Sequence, residues 1–146
     1  MTLEEIQNMW SKDCKIDELN LGSESIKTPE LHAKYLNLLS TYKLQLRKAE
    51  SKLLSLRKVK YRYYRGELTV DELDNLGWDP YLGNSPLKNE MSEFLDTDPD
   101  VIKATDRAEY IRTITFTLES ILRSLNSRGW DIKNAVKWTK FTNGLM

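Results

Sequence analysis

Cysteine and histidine are almost missing from this chain: Cys14 and His32 are the only ones in 146 residues. A single cysteine builds no disulfide framework, and that usage fits a reducing compartment. One of each cannot close a zinc site within one chain. A histidine-based triad would need His32 beside a suitably placed serine and acid, and no spacing points to that. Glycine and proline are sparse too, at six and four residues, and no glycine-rich phosphate loop is present. No apolar run approaches the ~20 residues of a membrane span. The opening MTLEEIQNMW carries acids and no apolar stretch, so no secretory signal is expected and the cytoplasm is the expected location. Together these absences predict a protein that is not an enzyme, with no catalytic residues, no metal and no cofactor.

Asp96-Thr97-Asp98-Pro99-Asp100 resembles the start of a calcium loop. Val101, however, stands where that loop needs glycine, and Arg107 where it needs a bidentate glutamate. A helix cap followed by proline explains the run better.

What the chain has is charge, and the charge is segregated. Formal net charge is zero. Residues 43–65 nevertheless sum to +8, residues 66–100 to −9, and residues 101–146 to +4. Such asymmetry says more about partners than the total does. The acidic stretch reads as a solvated loop or as a contact for a basic partner.

The length suits one domain, and the periodicity predicts an all-α fold. Residues 3–13 read as a short helix and residues 14–28 as a polar connector. Thr28-Pro29-Glu30 has the pattern of a helix start. A long helix is therefore expected from about 29 to 65. Within it Tyr35, Tyr42, Ala49, Leu56 and Tyr63 recur every seven residues, and Leu39, Leu46 and Leu53 follow the first three by four. That is a heptad seam, the mark of a helix packed along its length. Residues 66–87 read as an irregular excursion with a helical turn at 69–75, and residues 85–95 as a short helix. A further helix is expected from Asp98-Pro99 to Gly129, with a last one capped by Asp131. Residues 1–95, with the long helix, are the expected ligand-binding part, and residues 96–146 the expected self-association part. Trp10, Trp78, Trp130 and Trp138 are expected in cores or interfaces.

The densest feature is the end of the long helix, Leu56 to Leu68, LRKVKYRYYRGEL. Arg47, Lys58, Arg62 and Arg65 fall opposite the seam. Lys60 falls on it, where leucine stood three times before. A lysine there suggests that the seam opens to water near Leu56 and that the last two turns project. Projecting cations with Tyr61, Tyr63 and Tyr64 suit single-stranded nucleic acid, through phosphates and stacked bases. Two other readings stay open: wet surface complementing the helix dipole, and an anionic membrane. The membrane reading lacks a broad apolar face beside the basic one.

Three stretches resemble the UvsY family, the recombination mediators of T-even-like phages. They are Lys58-Val-Lys60-Tyr-Arg-Tyr63-Tyr64; Glu90-Met91 followed by Leu95, Asp98, Asp100-Val101 and Lys103; and Ser127-Arg128-Gly129-Trp130 with Ile132-Lys133 and Phe141. Their order and spacing carry the resemblance more than any one of them. It implies a ring-shaped homo-oligomer that binds single-stranded DNA. Such a ring helps a RecA-like recombinase displace single-strand-binding protein, here in a host cell's cytoplasm. The basic pair of the family's DNA-binding element carries over to Lys58 and Lys60. Lys60 stands where the family pattern has Arg, and Arg62 adds a cation where an acid is expected. Arg57, Arg62, Tyr63, Tyr64 and Arg65 complete the expected DNA-binding set. Ile121, Leu125, Trp130, Ile132, Val136, Trp138 and Phe141 form the expected self-association set. The competing reading is a structural coiled-coil adaptor whose basic stripe docks on an acidic protein.

Overall fold

The computed structural model describes residues 1–144, and every regular element among them is an α-helix. In chain order these are α1 (Leu3–Asp13), α2 (Leu21–Tyr64), α3 (Val70–Leu76), α4 (Met91–Thr97) and α5 (Pro99–Thr142). α2 and α5 are each 44 residues long. Two compact units divide the described chain. One is Met1–Leu44 with the residues from Arg112 onward, and the other is Gln45–Ile111. Both long helices contribute to each unit.

In the first unit, α1 starts on a capping box in which Thr2 and Glu5 exchange side-chain-to-backbone bonds. The core joins Ile6 of α1, Tyr35, Leu39 and Tyr42 of α2, and Ile114, Leu118, Ile121, Leu125 and Ile132 of α5, all buried. The hydroxyl of Tyr35 has an exit from this core: it donates to Asp13 Oδ2 at 2.8 Å. A buried ion pair lies here as well. Arg128 Nη2 is 2.7 Å from Glu24 Oε2 and 3.1 Å from the Glu24 carbonyl, and Arg128 Nε donates to the Thr28 hydroxyl at 3.1 Å.

That clamp explains a correction. α2 begins at Leu21 rather than Pro29, and Pro29 lies inside it. An interior proline removes a helical hydrogen bond and crowds the preceding turn. Arg128 holds the turn before it, Glu24 to Thr28, by three hydrogen bonds, so tertiary contacts override the local signal. The same holds at Gly129, expected to end a helix. α5 runs through it to Thr142, because Arg128 and Ile132 on either side are buried. The two expected C-terminal helices are one.

In the second unit, Met91, Leu95, Val101, Ala108 and Ile111 form the apolar core. α3 has its own capping box, Thr69 with Glu72, and ends on Gly77 at φ +71°, the left-handed conformation that favours glycine. Asp98 starts α5: its Oδ1 accepts from the N–H groups of Asp100 at 2.9 Å and Val101 at 3.1 Å. Pro99 fills the first helical position, where no N–H is needed. The heptad seam of α2 continues through this unit. Leu46, Ala49, Leu53 and Leu56 are half-buried, and Lys60 is buried.

Candidate nucleic-acid interface

The end of α2 does not project, contrary to the expectation from sequence. Lys60 is only 6% exposed. Its Nζ lies 2.8 Å from Asp100 Oδ2 and 3.2 Å from Asp98 Oδ2. It also sits 4.1 Å from the ring centroid of Trp78 and 5.4 Å from that of Tyr63. A lysine on a seam need not mean that the seam has opened: here the facing positions are acids and an aromatic ring. Burial disfavours the ammonium. Its hydrogen bonds to Asp100 and Asp98, with their charges, more than offset that, and the lysine pKa is raised.

Asp98 is the centre of this network. Its Oδ2 accepts from Lys60 and from the Tyr64 hydroxyl at 2.6 Å, while its Oδ1 caps α5. Burial pushes the Asp98 carboxyl up. The Tyr64 hydroxyl, the Val101 N–H and Lys60 outweigh that and hold it below the usual range. The Tyr64 phenol is pushed well above its ordinary value, by burial first and by Asp98 second.

The remaining residues of the expected DNA-binding set are mostly engaged within the unit. Arg62 forks onto Glu72 at 2.8 and 3.0 Å. Arg57 Nη1 meets Asp96 Oδ1 at 2.9 Å. Arg65 Nε meets Glu67 Oε1 at 3.0 Å. Tyr63 and Tyr64 pack edge-on or tilted against each other, Trp78, Tyr81 and Phe94 at centroid distances of 5.1–5.7 Å. Their faces serve a cluster rather than lying open for bases. Lys58 differs: it is exposed and has no ion pair among the described residues. The acids of residues 66–100 thus account for much of the basic excess of residues 43–65 inside one unit.

One cationic surface was not legible as a site. α2 and α5 line a groove of about 700 Å³ in the second unit. Lys48 and Lys52 stand on the α2 side and Lys103 and Arg107 on the α5 side, and Ala49 and Asp100 also line the groove. All four cations are exposed and none has an ion pair among the described residues. The available signal was the spacing. Each helix places two cations at i and i+4, an arrangement that costs stability in an isolated helix. Only the fold brings the two pairs together.

The expected self-association set divides. Ile121, Leu125 and Ile132 are in the core of the first unit, so they are corrected from interface to core. Their helical spacing is that of a buried face. Val136 is half-buried. Trp130, Trp138 and Phe141 are exposed at 65%, 66% and 60%, and the last two stack at 5.8 Å.

The family model for the recombination, repair and ssDNA binding protein UvsY matches residues 9–145. The chain belongs to the UvsY family. It is 29% identical over 144 residues to the recombination protein uvsY of Enterobacteria phage T4, covering 99% of each chain. It is also similar to crystal structures of the recombination mediator protein UvsY of bacteriophage T4. In one lattice the TM-score is 0.85 at 27% identity, with 98% of each chain covered. In another it is 0.85 at 26% identity, with 97% of this chain and 99% of the other covered. The helical architecture is thus that of the UvsY family, with Lys58 and Lys60 both near the end of its long helix.

Proposed function

We propose that this chain binds single-stranded DNA and acts as a recombination mediator. In this reading it promotes loading of a RecA-like recombinase onto DNA covered by single-strand-binding protein. The setting is phage homologous recombination, repair and recombination-dependent replication in the host cytoplasm. It works by holding and presenting a strand, without catalysis. The observation that carries the reading is which cations are left over. Of the basic residues in 43–65, Lys43, Arg57, Lys60, Arg62 and Arg65 have carboxylate partners. Arg47, Lys48, Lys52 and Lys58 have none among the described residues. These four, in a family described by ssDNA binding, are the cations free to meet phosphates. Lys58 is the member of the expected set that contacts DNA directly, and Lys60 supports the end of the helix.

Self-association is part of the same proposal. Exposed Trp130, Trp138 and Phe141 in the C-terminal part are the anchors for a second copy. Repetition around an oligomer turns weak phosphate contacts into one tight grip. The adaptor reading is less favoured. It needs the acidic stretch to be available to another chain, whereas Glu67, Glu72, Asp96, Asp98 and Asp100 already pair within this one.

The test is anisotropy of fluorescent oligo-dT across a salt series, with light-scattering mass on the same samples. A mediator loses affinity with log salt at a slope of roughly 0.7 per phosphate contacted. A folded protein that ignores the strand even at low salt would sink the proposal.

A further inference from the structure

We infer that the α2–α5 groove of the second unit is the phosphate track, and that Lys60 acts on it from behind by offsetting the charge of Asp100. This rests on the single-stranded DNA reading above. Lys48 and Lys52 on one wall face Lys103 and Arg107 on the other. Four cations without carboxylate partners raise the potential of a concave surface, and a cleft focuses that potential. The like-charged i, i+4 pairs are unfavourable alone and become favourable when a polyanion lies between them. Ala49 and Ala104 line the same groove, so small side chains leave room for a sugar–phosphate chain. Arg107 adds a planar fork suited to phosphate oxygens.

Asp100 is the carboxylate among the groove-lining residues. Left alone it would repel the strand. Its Oδ2 is 2.8 Å from the Lys60 ammonium, and Lys60 is itself buried. Lys60 is therefore a positioning residue. Shared with Asp98, its ammonium offsets part of the Asp100 charge and so lessens the repulsion without lining the track itself. A basic residue at this place influences DNA binding through Asp100, not through a phosphate.

The experiment uses the full chain and fluorescent oligo-dT. Lys103→Gln/Arg107→Gln alters only α5, and Lys12→Gln/Lys15→Gln makes the same charge change elsewhere. The groove variant should lose about ten-fold or more in affinity and reduce the salt slope by roughly 1.4, the share of two phosphate contacts. The control pair should stay close to wild type. Wild-type binding with an unaltered groove variant would overturn the track and leave the DNA reading standing. No binding by the wild-type protein would overturn both.

The Lys60 arm has its own readout. Asp100→Asn removes a half-exposed acid and should tighten binding. Lys60→Gln should weaken it, and Lys60→Gln/Asp100→Asn should recover most of the loss. A double variant as weak as Lys60→Gln would mean that Lys60 holds phosphate itself. Should Lys60→Gln fold poorly, Asp100→Asn still tests the acid: unchanged or weaker binding would show that its charge does not reach the strand, and would overturn the role of Lys60 that depends on it.

Discussion

The Lys60 ammonium lies 3.2 Å from the same Asp98 carboxylate whose other oxygen caps α5. One residue of α2 is thereby joined to the first turn of α5, and the Tyr64 hydroxyl completes the arrangement at 2.6 Å. The pair is buried on both sides, at 7% and 2% side-chain exposure. Lys60→Met would leave Asp98 buried with its cation gone, a change that costs about 3 kcal/mol. Thermal denaturation should show a fall of about 10 °C. A melting temperature equal to wild type would mean that the network carries no stability.

The same network sets a pH window. The Asp98 pKa is depressed, so its contribution is present above the ordinary aspartate value of about 4. It is lost as pH falls through the lower folded value. The Lys60 pKa is raised, so its contribution is present below the ordinary lysine value of about 10 and is lost as pH rises through the higher folded value. Urea denaturation between pH 3 and 7 should show Asp98→Asn losing stability less steeply toward acid than wild type. The limb becomes shallower rather than flat, because Asp13, Asp17, Glu24 and Glu72 are depressed too. Identical limbs would assign the acid sensitivity to those groups alone.

Much of this fold is legible in the spacing of apolar residues. α1 has the bounds that its sequence suggests, and the heptad positions Tyr35, Leu39 and Tyr42 are buried. Local signals mislead where a distant residue supplies the compensation. Thr28-Pro29 reads as a start until Arg128 is seen gripping the turn before it. Lys60 reads as an opened seam until Asp98, Asp100 and Trp78 are seen around it. Both partners lie far away in sequence, so no window could hold the evidence. The groove was hidden for the same reason: Lys48 and Lys52 form half of it, and Lys103 and Arg107 the other half.

Two glycines should respond to alanine with opposite sign. Gly77 sits at φ +71° with open space where a Cβ would go. Gly77→Ala therefore costs backbone strain alone, about 1 kcal/mol. Gly129 is inside α5, with no positive φ and open space as well. Gly129→Ala should stabilise by up to about 1 kcal/mol through helix propensity. Chemical denaturation of both variants checks the pair. A loss at Gly129 would show that α5 needs its glycine for something other than helix geometry.

Pro29 should be a stability cost that Arg128 offsets. The proline has no N–H for the carbonyl of Ser25, and its ring crowds that carbonyl. Pro29 and Ser25 are both exposed, so alanine at 29 meets no packed neighbour and restores the missing bond. Pro29→Ala should stabilise by about 2 kcal/mol. Arg128→Met should lower the melting temperature, since Glu24 would stay buried without its guanidinium partner. The informative result is the combination. If the clamp holds the turn against the proline, Arg128→Met should cost less in the Pro29→Ala background than in the wild type. Hydrogen exchange locates the effect. In Arg128→Met the amides of residues 21–28 should open more readily than those of residues 35–42, and Pro29→Ala should restore their protection. Strict additivity, with unchanged exchange at residues 21–28, would mean that the first turns of α2 hold without the clamp.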